Sequence, residues 1–298
     1  MSFQLRFDDR VAIITGAADG LGGAYASLLA SRGAKVIVND INQEGVESRL
    51  KLIRDAGGEA IGAPLDISKS ENCDAIIGQA MEAFGRVDIL INNAGSVGTS
   101  NDLSEVTDAE VHSITEIALY GTTYLCRAAW SVMKDQNYGR IINTASNSMF
   151  GMGSVVPYPA AKSAMIGLTR SLAIGGGEFN IKANAVLPSA ATPMTISTLP
   201  SPELVQILKD DYQPEKVAAG VAVLAHERCP ASGEAFGMGA GRVARVIISA
   251  SQGVTNENVT PESVFESFDQ IMDPENAKIL NSTFDDMLMY GLDMSSFF

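Results

Sequence analysis

Basic residues are scarce in this chain: 21 Lys and Arg stand against 35 Asp and Glu, for a net charge of −14. That shortage argues against nucleic acid or an anionic membrane as a partner, because both require a basic surface. Cysteine is scarce as well. Cys73, Cys126 and Cys229 lie far apart with no Cys-x-x-Cys spacing, which reads as buried thiols in a reducing compartment, here taken as the cytoplasm. No apolar run reaches the roughly 18 residues a membrane span needs. The opening MSFQLRFDDRVAI lacks a charged-then-apolar signal pattern, and the closing Ser-Phe-Phe is not a peroxisomal address. There is no internal repeat and no low-complexity tract. The excess of acid reads as solvated surface rather than a metal site. What remains is ordinary globular composition: 298 residues, 46% hydrophobic and 19% charged, enough to bury a large core.

Short apolar runs alternate with helical patterns along this chain. Val11 to Thr15, Lys35 to Asn39, Ala60 to Leu65, Val87 to Ile91, Arg140 to Ser146 and Ile181 to Leu187 read as strands, the last ended by Pro188. Helical stretches are predicted over Ala24 to Ser31, Asn42 to Asp55, Glu71 to Phe84 closed by Gly85, and one long helix over Thr107 to Lys134. This alternation predicts an α/β fold, a Rossmann-type doubly wound parallel sheet with a C-terminal extension. Such sheets bind ligands at the carboxyl ends of their strands, where Asp40, Asp66, Asn93, Ser146 and Pro188 fall.

Two stretches carry chemistry. Gly16-x-x-x-Gly20-x-Gly22 sits between the first strand and its helix. Glycines there let the backbone approach a pyrophosphate whose charge faces a helix N-terminus. Asp40 ends the second strand, where its carboxylate can take the ribose hydroxyls and repel a 2′-phosphate, favouring NAD over NADP; a helix cap is its other reading. Asp66 reads equally as an adenine contact or a strand-end cap, and Asn93 as both a turn holder and a cofactor-lining residue. The second stretch is Ser146 to Lys162. Tyr158 and Lys162 share one helix face. An ammonium about 4 Å from the phenol favours phenolate by up to roughly 4 kcal/mol at an effective dielectric near 20. That brings a tyrosine of pKa about 10 toward neutral working range. Ser146 at the strand end can hold a substrate oxygen while Tyr158 moves the proton. Alone, a Tyr-x-x-x-Lys pair is more often surface packing.

Taken in order, Thr15-Gly-x-x-x-Gly-x-Gly22, Asp66, Asn92-Asn93-Ala94-Gly95, Ser146, Tyr158-x-x-x-Lys162 and the Pro188-Ser-Ala-Ala-Thr192 turn resemble the short-chain dehydrogenase/reductase family over residues 6–242. The resemblance implies an NAD-dependent oxidoreductase acting on a CH–OH group. It assigns Ser146, Tyr158 and Lys162 to catalysis. It implies Thr15, Gly16, Asp19, Gly20, Leu21, Gly22, Asp40, Asp66, Ile67, Asn93, Ala94, Gly95, Tyr158, Lys162, Pro188 and Ala191 as cofactor contacts, with no metal. Gly20-Leu-Gly-Gly-Ala-Tyr-Ala26, Arg127-Ala-Ala-Trp130 and Glu234-Ala-Phe-Gly-Met-Gly-Ala-Gly-Arg242 are similar to the dehydrogenase domains of the peroxisomal multifunctional β-oxidation enzymes. That subgroup implies a 3-hydroxyacyl-CoA substrate, with a hydroxysteroid or other cyclic alcohol as alternative.

The pattern departs from the family in particular places. Ala118 stands where the family has an asparagine beside the catalytic lysine. The interval from Ser146 to Tyr158 is one residue short, leaving Ser148 as a second candidate behind Ser146. Ser189 replaces a common glycine, and Pro159 directly follows Tyr158. A non-catalytic NAD-binding interaction protein is the reading of another class, resting on Ala118. Residues 1–242 are expected to form the dehydrogenase domain, and 243–298 a helical extension packed on the core or on a partner subunit. Residues 190–213 should cover an apolar acyl or steroid-like substrate, with Met149, Phe150 and Met152 lining the same pocket. A homodimer or homotetramer is expected, with a small-molecule substrate.

Overall fold

The computed structural model describes residues 4–99, 102–153, 156–197 and 201–291. The chain divides into two compact units, Met1–Arg245 and Val246–Phe298.

The first unit is built on β1 (Val11–Thr15), β2 (Lys35–Asn39), β3 (Glu59–Ala63), β4 (Ile89–Asn92), β5 (Gly139–Thr144), β6 (Ile181–Ser189), β7 (Ala235–Gly239) and β8 (Arg242–Val246), in the sheet order β3-β2-β1-β4-β5-β6-β7-β8. Registers from β3 through β7 are parallel, with Ile14 beside Val38 and Ile91, and Ile142 beside Ile91 and Asn184. The doubly wound expectation holds, and the period of two in β1 shows why. Ala12 and Ile14 enter one apolar cluster with Tyr25, Leu29 and Val221. Val11 and Ile13 enter another, on the opposite face, with Cys73, Ile76 and Leu125. A strand apolar at every position needs cover on both faces. Each fully buried aliphatic side chain contributes about 1.5–3 kcal/mol.

The helices supply that cover. They are α1 (Gly20–Ser31), α2 (Gln43–Asp55), α3 (Ser70–Phe84), α4 (Asp108–Thr115), α5 (Thr122–Asp135), α6 (Pro157–Gly176), α7 (Pro193–Ser197), α8 (Pro202–Asp211) and α9 (Pro214–Ala225). The start of α1 is capped by the Asp19 carboxylate and that of α2 by Asn42. Gly85, at φ 73°, closes α3 in the left-handed region as expected. All three cysteines are free and buried.

Two elements depart from the sequence reading. The helix expected over Thr107 to Lys134 carries a π-helical turn at Glu116–Gly121 between α4 and α5. A periodicity of 3.6 does not reveal one surplus residue in a single turn. Pro188 does not end β6, which runs to Ser189. Pro188 and Ser189 register with β7 alone, because β5 stops at Thr144 opposite Val186. A proline is tolerated where one flank of a strand has no neighbour.

The second unit contains β9 (Ser249–Ala250), α10 (Pro261–Glu266), α11 (Phe268–Met272), β10 (Lys278–Ile279) and α12 (Thr283–Met289), with β9 and β10 antiparallel. A capping box between Thr260 and Ser263 opens α10, with Pro261 in its first turn. Among the described residues, no helix is long and apolar enough to cross a membrane.

Candidate active site

Where β1 ends, the buried Thr15 hydroxyl accepts from the backbone N–H groups of Asn93 and Ala94, both at 3.0 Å. The Asn93 amide donates to the carbonyls of Thr15 (3.0 Å) and Gly16 (3.2 Å). The two residues therefore lock the turn after β4 against the glycine loop. Gly16 and Gly20 sit at φ 61° and 55°, a region open to glycine at little cost. A Cβ on Gly22 would overlap the Gly16 carbonyl oxygen. These residues shape a backbone cradle of the kind a diphosphate needs.

Two cavities of about 440 Å³ each open over the strand ends. Both are lined by Gly16, Asp40, Ala94 and Gly95. The first also takes in Asp19, Gly20, Leu21, Asn93, Pro188, Ser146, Tyr158 and Lys162. The second takes in Asp66 and Ile67. The structure thus brings thirteen of the sixteen expected cofactor residues, and all three catalytic candidates, to two cavities that share Gly16, Asp40, Ala94 and Gly95. Thr15, Gly22 and Ala191 line neither cavity. Thr15 and Gly22 stand behind the loop they shape, and the Ala191 N–H donates to Tyr212 O at 2.7 Å.

Asp40 does not cap α2, whose cap is Asn42, and its carboxylate is held by backbone on two sides. One carboxylate oxygen accepts from Asn42 N at 3.0 Å, ahead of α2, and the other from Ala18 N at 3.2 Å within the glycine loop. Asp66 caps its strand end, accepting from Ser68 N (2.9 Å) and Ser68 Oγ (2.8 Å) while facing the second cavity.

Ser146 stands just beyond β5, and its hydroxyl accepts from Ser148 N at 3.1 Å. Ser148 is buried, and its own hydroxyl has no partner among the described residues. Of the two, Ser146 lines the cleft and Ser148 does not. Tyr158 and Lys162 rise from the first turns of α6, where Pro157 and Pro159 sit without penalty because first-turn N–H groups have no intrahelical acceptor. The Lys162 ammonium is 4% exposed and donates to the Thr144 carbonyl at 2.9 Å. A Cβ on Gly95 would come within 3.1 Å of its Nζ, so glycine there leaves the amine its space.

Burial governs the protonation of both groups. Desolvation pulls Lys162 down from 10.5 to about 8. It pushes the Tyr158 phenol above the ordinary tyrosine value, and a hydrogen bond with Ser146 offsets part of that rise. This corrects the expectation of a phenol made acidic by its neighbour. The ammonium lies 5.9 Å from the centre of the tyrosine ring and is turned to a carbonyl, and the loss of water sets the direction of the shift. Ala118 is buried in the π turn and packs with Ile114, Ala161 and Tyr158, so an apolar wall stands beside the phenol.

Sequence reasoning missed Ala18, Asn42 and Thr144, which line the first cavity, whereas Thr192 to Thr195, at the root of the expected lid, line it as well. It also missed Ile41, Ser68 and Ile117 in the second. Most adjoin a named motif residue, which was the available signal. Of the expected lid, residues 198–200 lie outside the described set, and the rest forms α7, α8 and their flanks. Met149, Phe150 and Met152, expected to line the substrate pocket, line neither cavity. No metal-binding group of His, Cys, Asp or Glu occurs among the described residues.

The sequence pattern of the short chain dehydrogenase family matches residues 10–202. Peroxisomal multifunctional enzyme type 2 of Mus musculus is 37% identical over 291 residues, which are 93% of this chain and 38% of that protein. The full-length structure of peroxisomal multifunctional enzyme type 2 from Drosophila melanogaster superposes with a TM-score of 0.81 at 31% identity, over 97% of this chain and 51% of its own. A 7α-hydroxysteroid dehydrogenase complexed with NADH and 7-oxo glycochenodeoxycholic acid superposes with a TM-score of 0.74 at 28% identity, over 80% of this chain and 98% of its own. The chain therefore spans about half or less of these two multifunctional relatives. These names overturn the cytoplasmic expectation, since relatives from mouse, fly, fungi and slime mould are all named peroxisomal. The inference from cysteine was too strong: buried thiols are shielded from partners in any compartment.

Proposed function

Because the chain belongs to the short-chain dehydrogenase family, we propose that it is an oxidoreductase exchanging hydride between NAD(H) and a bulky apolar secondary alcohol or ketone, with 3-hydroxyacyl-CoA first among substrates. The observation that carries this reading is the convergence of Ser146, Tyr158 and Lys162 on the cleft that the glycine loop and Asp40 also line. The residues present fit a dinucleotide: a glycine cradle, a carboxylate at the end of β2, and a buried cation at the end of β5. When bound, the nicotinamide supplies the hydride chemistry. The protein supplies placement and the proton. Asp40 takes the adenosine ribose, and Lys162 takes the nicotinamide ribose. Ser146 holds the substrate oxygen at the cleft wall. Tyr158 gives its proton to that oxygen in reduction and removes it in oxidation. Because burial raises the phenol, its protonated form dominates at neutral pH, which suits the acid role there and favours oxidation at alkaline pH.

The hydroxysteroid reading is second. Among the described residues, Lys162 is the sole basic one lining the first cavity, so a polyanionic thioester finds no cluster of cations there. The non-catalytic reading rests on Ala118 alone, and the assembled Ser146, Tyr158 and Lys162 weigh against it. We assign the dehydrogenase domain to the N-terminal unit and the extension to the C-terminal one, with the expected boundary at residue 242 moved to 245 because β8 belongs to the main sheet. We also infer a homodimer or homotetramer; the exposed Tyr120, Ile174 and Phe265 support it, and light scattering after gel filtration tests it. The functional test is NADH absorbance with the purified chain and a panel of 3-hydroxyacyl-CoA, the free 3-hydroxy acid and a hydroxysteroid. The proposal expects turnover with the thioester. Turnover only with the steroid promotes the second reading, and NADH binding without turnover on any alcohol or ketone promotes the third.

A further inference from the structure

The middle of the glycine loop is gripped from behind. Ala18 donates its N–H to Asp40 at 3.2 Å. Its carbonyl accepts from Nε (3.4 Å) and Nη2 (3.3 Å) of Arg49, which reaches over from α2. The remaining Nη1 donates to Ser27 Oγ on α1 at 3.1 Å. The guanidinium crosses α1 at Gly23, where a Cβ would overlap Nη2. Gly23 thus has a purpose that the glycine motif does not explain: it is the gap through which the arginine passes. Arg49 forms no ion pair among the described residues, although Asp19 and Glu215 line the same cavity behind the loop. Its charge is therefore left directed at the loop backbone. A cation bonded to that carbonyl fixes the peptide plane on which the loop's N–H directions depend, and it adds positive potential where an anion would rest.

We propose that Arg49, admitted by Gly23, is a positioning residue for dinucleotide binding, holding the Ala18 peptide of the glycine loop in its anion-receiving orientation. The inference rests on the NAD reading above. Arg49→Met should weaken NAD affinity about tenfold, as loss of one charge-assisted contact would. Arg49→Lys should recover part of the loss. Gly23→Ala leaves Arg49 in place but closes its path, so it should weaken NAD to a similar degree. The double variant should be no weaker than either single one. The readouts are the NAD dissociation constant by fluorescence titration and, with a turned-over substrate, KM for NAD against kcat. A purely structural role would lower the melting temperature and leave the NAD constant untouched. That result, or additive effects of the two substitutions, overturns the proposal. Failure of the unsubstituted protein to bind NAD instead overturns the reading of the cleft, and this inference with it.

Discussion

Lys162 makes its strongest prediction through the stability of the ligand-free protein. Its buried amine titrates at about 8 in the fold, against 10.5 for an ordinary lysine. The gap between these values corresponds to about 3 kcal/mol held against the folded state at neutral pH. Between pH 8 and 10.5 the unfolded chain binds more protons than the folded one, so stability from this group rises with pH and the penalty persists in full below about 8. From pH 7 to pH 9.5 the group should return about 2 kcal/mol. Lys162→Met removes the titration, and it also leaves the Thr144 carbonyl without its donor, a loss of about 1–3 kcal/mol. The two effects nearly cancel at pH 7. At pH 9.5 about 1 kcal/mol of the lysine penalty is left, the lost hydrogen bond outweighs it, and the methionine protein should be the less stable by about 2 kcal/mol. The comparison is made by urea denaturation at a series of pH values, with both proteins carrying Tyr158→Phe so that the neighbouring phenol cannot titrate. Parallel stability curves would mean that the amine is not desolvated, and the electrostatic account of the site would be wrong.

Three further outcomes are expected. Tyr158→Phe should reduce kcat by at least the 10²–10⁴-fold that general acid–base catalysis contributes while leaving NAD affinity nearly unchanged; in the parent, the oxidation rate should rise with pH into the alkaline range, because burial raises the phenol. Asp40→Ser removes the carboxylate that would repel a 2′-phosphate, so the ratio of kcat/KM for NADP to NAD should rise; an unchanged ratio would strip Asp40 of its selectivity role. Asp88 is fully buried and accepts from Arg10, Arg86 and the Val11 N–H, so Asp88→Ala should lower unfolding stability by about 3 kcal/mol, measured by denaturant titration.

Much of the site was legible because it follows local rules. A glycine loop between an apolar strand and a helix, and an aspartate at the next strand end, need only neighbours in sequence to be recognised. What escaped depends on distance in space. The phenol's protonation turns on how much water reaches Tyr158, which no spacing records. The reach of Arg49 across α1 joins residues separated by 31 positions in the chain. Pro188 was read as a strand end because a proline lacks an N–H, but the strand continues where one flank has no partner. The π turn escaped for a subtler reason, since the residues before and after it keep ordinary helical patterns.

That turn has a consequence for how the chain could vary. Glu116–Gly121 holds one more residue than an α-helical turn of the same rise. A single-residue deletion elsewhere between Asp108 and Asp135 would rotate everything downstream by about 100° and bring the wrong face of α5 to the sheet. A deletion within the wide turn would only tighten it, leaving both flanking helices in phase. The backbone beside Tyr158 is thus the one stretch of this long rod that can shed a residue and still fit, and descendants of the gene could reshape the wall of the pocket there without refolding the protein.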